Sequence, residues 1–129
     1  MEETGLLDEV RMPIEPQAIT YEEVIAYLQN SNLDFHPTQS SISFPIIERI
    51  CRRLKSGNEF SPIQIVDNKI IDGHHRYVGY NLMKKKLERV PGGANASFHK
   101  NLAWSEVDVD INDYDSEEIK TEYENKYDL

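Results

Sequence analysis

The chain has 129 residues, 39% hydrophobic and 29% charged, a balance that fits one soluble globular domain with a single sizeable core. No apolar run approaches the roughly 20 residues of a membrane helix, and the opening MEETGLLDEV lacks the basic and apolar regions of a signal peptide, so no membrane partner and a cytoplasmic location are expected. Net charge is −9, yet residues 1–104 hold 13 acidic against 12 basic residues while residues 105–129 hold 10 against 2; general attraction to nucleic acid or anionic membranes is not expected, although a local basic patch can still take a phosphate.

In chain order, "AITYEEVIAYLQN" carries the first helix signature. Thr20 and Glu23 make a capping box, and Tyr21, Val24, Ile25 and Leu28 share one apolar face, so residues 21–29 are expected to be helical. "SNLDFHPTQSSIS", residues 31–43, is rich in turn-forming residues and reads as an ordered connection or a short edge strand. A second helix is expected to begin around Ser43 to Pro45, with Ile46, Ile50 and Leu54 at four-residue spacing and Ser56-Gly57-Asn58 as its stop. The single cysteine, Cys51, lies in that pattern; it has no intrachain partner and is expected to be a buried structural thiol.

"FSPIQIVDNKIID" reads as a β-hairpin, with Ile63, Ile65 and Val66 on one strand, Asp67-Asn68 in the turn and Ile70-Ile71 returning. At Asp72 the period changes from two to 3.6, since Val78, Leu82 and Lys86 step by four. Beyond this helix, Pro91, Gly92 and Gly93 are expected to exclude regular structure. Val107, Val109 and Ile111 alternate with acidic residues as a half-exposed strand. From Asn112 onward the segment is either a short helix around Ser116 to Tyr123 or a mobile acidic tail. Trp104 and Phe98 are expected to pack against the sheet. The expected domain therefore covers residues 1–111, with an acidic C-terminal tail over 112–129.

The stretch "IIDGHHRYVGY" places Asp72, Gly73, His74, His75 and Arg76 between a strand and a helix. The first amides of a helix have no intrahelical partner and favour an anion in the preceding turn. Gly73 permits close backbone approach, and Arg76 can clamp a phosphate or carboxylate through two nitrogens. His74 or His75 can hydrogen-bond phosphate or move a proton, and Asp72 can cap the helix, orient a histidine or hold Mg²⁺ with a nucleotide. The plainer reading stands beside this one: Asp72-Gly73 is a common turn pair, Asp72 an ordinary cap and Arg76 a solvated helix residue. No metal site is expected, because neighbouring histidines at a helix start diverge and structural zinc takes about four ligands.

These motifs resemble the ParB/sulfiredoxin superfamily, in particular its ParB-like N-terminal domain, also described as a ParB-like nuclease domain. The resemblance covers about Leu33 to Met83: "HPTQS" at 36–40 is similar to the family's proline-glutamine box, "SPIQIV" follows the second helix, and "DGHHRYVGY" stands where the family has its phosphate-contacting Gly-Glu-Arg-Arg or Gly-Cys-His-Arg loop. It implies a small α+β domain, a mixed sheet packed with two or three helices, with a motif-bearing core over 33–83. Gly73 would then be the loop glycine, His74 would stand at the Glu or Cys position, and His75 with Arg76 would form the basic pair at the nucleotide phosphates. Gln39 would face the nucleotide, although by itself it reads as a turn residue. His36 becomes a second proton-transfer candidate if the box folds against the loop.

His74 departs from the sulfiredoxin pattern, since histidine cannot form that enzyme's sulfur-linked intermediate, so sulfinic acid reduction is not expected. Sequence-specific DNA partition is not expected either, with an acidic tail and no room for a DNA-reading domain. The implied function is binding of nucleotide phosphate or another phosphorylated small molecule, with Mg²⁺ alongside a nucleotide. The implied chemistry is phosphoryl transfer or phosphodiester hydrolysis, with Asp72, His74 and His75 as catalytic candidates and Gly73, His75, Arg76 and Gln39 as binding candidates. The alternatives are a non-catalytic regulatory or protein-interaction module and a nucleic-acid-associated adaptor. In these readings the acidic tail contacts a basic protein, mimics nucleic acid or shields the basic patch. The cluster Lys84, Lys85 and Lys86 reads as a solvated face or an attraction for a phosphorylated partner.

Overall fold

A computed structural model describes residues 19–93 and 100–127. Helix α1, Tyr21–Asn30, starts at the expected box: Thr20 Oγ1 accepts the Glu23 amide at 3.1 Å, and the Thr20 amide donates to Glu23 Oε1 at 2.8 Å. The two bonds satisfy donors that a helix start leaves open, and Val24 and Leu28 go into the core. Strand β1, Ser41–Ser43, leads directly into helix α2, Phe44–Lys55, with Pro45 in its first turn. Strands β2, Ile63–Val66, and β3, Lys69–Asp72, form the hairpin. Its turn residues Asp67 and Asn68 have φ of 48° and 63°, the left-handed pair that a two-residue hairpin turn requires.

Helix α3, His74–Leu82, follows β3 after one residue. It returns the chain to strand β4, Arg89–Pro91, which pairs parallel with β2 and gives the sheet order β3-β2-β4. A 3-10 turn over Trp104–Glu106 precedes strand β5, Asp108–Asp110, which runs parallel to β1 with Ile42 opposite Val109. Helix α4, Glu117–Tyr127, ends the described chain. The architecture is a small α+β domain with a mixed sheet. Among the described residues, no helix is long and apolar enough to cross a membrane.

Four expectations need adjustment. Pro91, Gly92 and Gly93 are expected to exclude regular structure, and the two glycines do lie outside any element, but Arg89–Pro91 is a strand; on a sheet edge Pro91 needs no amide on its outer side. Helix α3 stops at Leu82 and does not reach Lys86. Lys84 turns left-handed at φ 56°, and the Lys84 and Lys85 amides close back on Asn81 O and Tyr80 O, the double bond of a Schellman stop. Val107 and Val109 are buried as the alternation predicts, but Ile111 is 70% exposed. The strand ends at Asp110, whose carboxylate takes the Asn112 amide at 2.9 Å and turns the chain. The acidic end is helical and runs past Tyr123.

The core is built between α2, α3 and the hairpin, with Ile42, Ile47, Ile63, Ile70 and Val78 fully buried. Gly79 sets the approach of the two helices: a Cβ there would lie 2.7 Å from Ile50 Cγ2. Cys51 is buried against this contact, and burial pushes its thiol up to about 11, so it is the inert structural thiol expected. Trp104 is buried, stacks on Tyr77 with centroids 5.9 Å apart and donates from Nε1 to Phe35 O at 2.8 Å. Phe98 lies outside the described residues.

Candidate functional site

The end of β3 and the first turn of α3 form one wall of a cleft of about 220 Å³, lined by Gln39, Ile46, Arg49, Ile50, Arg53, Asp115 and the loop residues Asp72 to Arg76. Gly73 makes this wall possible. Its φ is 102°, and a Cβ would lie 2.5 Å from Ile63 Cγ2 and 2.6 Å from Arg76 Nη2. An L side chain therefore meets both a backbone and a space penalty here. The Gly73 carbonyl accepts the Tyr77 amide at 2.9 Å as the first helical bond. No side chain caps the helix start, so its first-turn amides keep the polarity that favours an anion.

His74 faces inward. Its Nε2 accepts the Thr38 amide at 2.9 Å, Thr38 Oγ1 donates to Ile70 O at 2.7 Å, and the ring meets Trp104 edge-on at 6.2 Å. A nitrogen that accepts a backbone amide carries no proton, so the neutral ring has its hydrogen on Nδ1. Burial, reinforced by the neighbouring His75, pushes the His74 pKa down to about 4. His75 repeats the device on another segment: its Nε2 accepts the Ser43 amide at 2.9 Å. Burial takes its pKa to about 4 as well; Asp115 opposes the shift and Arg76 and Arg49 add to it. The two histidines thus tie the proline-glutamine segment and the β1–α2 junction to the loop.

Arg76 points across the cleft wall. Its Nη2 donates to Asp72 Oδ2 at 2.8 Å, with the arginine side chain 19% exposed and the aspartate 61% exposed. Its Nε is buried and has no hydrogen-bond partner among the described residues, a donor whose desolvation is uncompensated there. Gln39 reaches the same cleft and donates from Nε2 to Ser41 O at 2.7 Å. All six candidate residues, Gln39, Asp72, Gly73, His74, His75 and Arg76, therefore meet at one place. His36 does not join them: it lines a separate depression with Leu28, Trp104 and Ser105. Lys85 and Lys86 are exposed beside a further cleft that also contains Glu59 and Glu88.

Two cations were missed by the sequence reading. Arg49 and Arg53 project from α2 into the cleft alongside Ile46 and Ile50. The signal was present in the spacing 46, 49, 50, 53, which is one helical face. Arg49 is engaged by Asp113 at 2.5 and 2.9 Å and by Asp115 at 2.8 Å. That pairing holds the Asp113 carboxyl down to about 2 and raises Arg49. Tyr114, between the two aspartates, meets the His75 ring edge-on at 6.1 Å. Among the described residues, no group of three or more His, Cys, Asp or Glu side chains is arranged to hold a metal ion.

Chemically, the cleft offers guanidinium groups and a helix start, and its two lining carboxylates, Asp72 and Asp115, are each paired with an arginine, which suits an oxyanion with several oxygens. Comparison with family models, with curated proteins and with solved structures gave no match for this chain.

Proposed function

We propose that the chain is a cytoplasmic nucleotide-phosphate binding domain of the ParB/sulfiredoxin-like kind, with its site at the Gly73–Arg76 loop. The observation that carries this reading is the convergence of the uncapped α3 start, Arg76, Arg49 and Gln39 on one cleft. The fork of N–H donors on a guanidinium pairs with two oxygens of a phosphate at once. The order of box, helix, strand and loop over residues 33–83 adds the resemblance as support.

In this reading Arg76 and Arg49 bind the phosphates, and the amides of His74 to Arg76 complete the cradle. Gly73 allows the close approach. Asp72, exposed at the rim and bonded to Arg76, orients that guanidinium and is the carboxylate placed to meet Mg²⁺ brought by the phosphates. His74 and His75 position the loop through their Nε2 atoms, which leaves Nδ1 as the protonated face of each ring. Turnover by phosphoryl transfer or phosphodiester hydrolysis would use Arg76 to neutralise charge developing on phosphate oxygens. Proton movement would then fall to Asp72, because each histidine is held neutral with its Nε2 lone pair on a backbone amide and its one proton on Nδ1.

Calorimetric titration with ATP, ADP and CTP in the presence of Mg²⁺ tests the binding step. A saturable isotherm that disappears in Arg76→Ala supports it, and equal binding by the variant and the parent chain contradicts it. A second reading, a non-catalytic interaction module, draws on the exposure of Ile111 (70%) and Ile119 (43%) within the acidic segment, a mixed apolar and acidic surface suited to a basic protein partner.

A further inference from the structure

The segment that follows β5 does more than leave the domain. Its backbone is fastened to the body by serines: the Ser43 hydroxyl donates to Asn112 O at 2.8 Å and accepts the Tyr114 amide at 3.3 Å. Tyr114 Oη contacts Ser41 Oγ at 3.1 Å and donates to Asp110 Oδ2 at 3.0 Å. These contacts bring Asp115 to the cleft, with Tyr114 against His75 and the carboxylates of Asp113 and Asp115 both on Arg49.

Arg49 holds two carboxylates, and these partners come from 64 and 66 residues away rather than from its own helix. Its side chain is only 12% exposed. A carboxylate and a phosphate oxygen use the same guanidinium edge, so they cannot occupy it together. The strap past Asp110 is attached through side chains and not by strand pairing, since β5 ends there. Opening it breaks a few local contacts and leaves the core in place.

We propose that the Asp113–Tyr114–Asp115 strap is an internal competitor for the anionic ligand of this cleft, and that binding displaces the two carboxylates from Arg49. This rests on the phosphate-binding reading above and adds its regulation. It also sets a requirement on the ligand. One isolated anion exchanges two carboxylates for a single contact, whereas adjacent phosphates engage Arg49 and Arg76 at once. The closed form therefore discriminates against a monophosphate and in favour of a nucleoside di- or triphosphate.

The test compares the full chain with Asp113→Asn/Asp115→Asn, titrating each with inorganic phosphate, AMP, ADP and ATP with Mg²⁺. Removing both charges is expected to tighten ADP and ATP binding about tenfold or more and to narrow the gap to AMP. Binding by the variant alone also supports the proposal. If the parent chain binds and the variant binds no tighter, the strap is not a competitor, although the phosphate site stands. If neither binds any of the four, both the site and its regulation are overturned. A second readout needs no variant: hydrogen exchange of the Tyr114 and Asp115 amides in the parent chain is expected to speed up when ATP and Mg²⁺ are added. Slower or unchanged exchange with bound nucleotide overturns displacement.

Discussion

His74 Nε2 accepts the backbone amide of Thr38 across 36 residues of chain, at 2.9 Å, and both partners are buried. One side chain of the loop thereby fixes the segment that carries Gln39. His74→Ala strands the Thr38 amide, and an unsatisfied buried donor costs about 1–3 kcal/mol. Urea unfolding is expected to show a loss of that size with an unchanged m-value, because the surface exposed on unfolding stays the same.

Both loop histidines are held near 4, below the 6.5 of a free imidazole. Between those values the unfolded chain takes up protons that the folded chain refuses. Their contribution to stability is therefore full above about pH 6.5 and declines as pH falls toward 4. Asp113, held near 2, acts in a lower range: its contribution is complete above about pH 4 and is lost as pH falls through 2. Denaturation midpoints from pH 8 to 4 are expected to fall below pH 6.5, and the ring resonances of His74 and His75 to stay flat from pH 8 to 5.5. A ring that titrates near 6.5 contradicts the buried acceptor geometry.

Gly79→Ala places a methyl 2.7 Å from Ile50 Cγ2 where α2 and α3 meet. Overpacking of this kind costs about 1–3 kcal/mol. Thermal unfolding is expected to register it as a lower midpoint, and because Ile50 also lines the cleft, ligand binding is expected to weaken with it.

Gly73→Ala separates stability from function. The residue sits at φ 102°, and the added carbon presses on Arg76 Nη2. Displacing that guanidinium is expected to weaken nucleotide binding by at least about tenfold, ~1.4 kcal/mol, beyond what the loss of stability explains. Binding measured at a temperature where the variant is fully folded checks this.

Elements whose signals are local were legible in the sequence. The Thr20–Glu23 box, the Asp67-Asn68 turn and the Gly73 loop all appear where their residues predict them, because caps and tight turns depend on a few adjacent side chains. Strand β4 was hidden because Arg89, Val90 and Pro91 carry no strand pattern; their structure comes from pairing with Ile63, Gln64 and Ile65 on β2. The end of α3 was hidden because Lys84 adopts a left-handed stop that glycine more often supplies. At the site, Gln39 and the loop were visible as a constellation. Arg49 was obscured because its meaning depends on Asp113 and Asp115, and in sequence these merge into an acidic run that reads as solvated.

The most direct measurement is a ¹H–¹⁵N amide shift titration with ATP and Mg²⁺ on the full chain. Saturable shifts concentrated at Gly73, His74, His75 and Arg76, with Gln39 and Asp115 moving in step, are the predicted result. Saturable shifts that leave Gly73 to Arg76 unmoved, or no shifts in either the parent chain or Asp113→Asn/Asp115→Asn, would contradict a phosphate site at this loop.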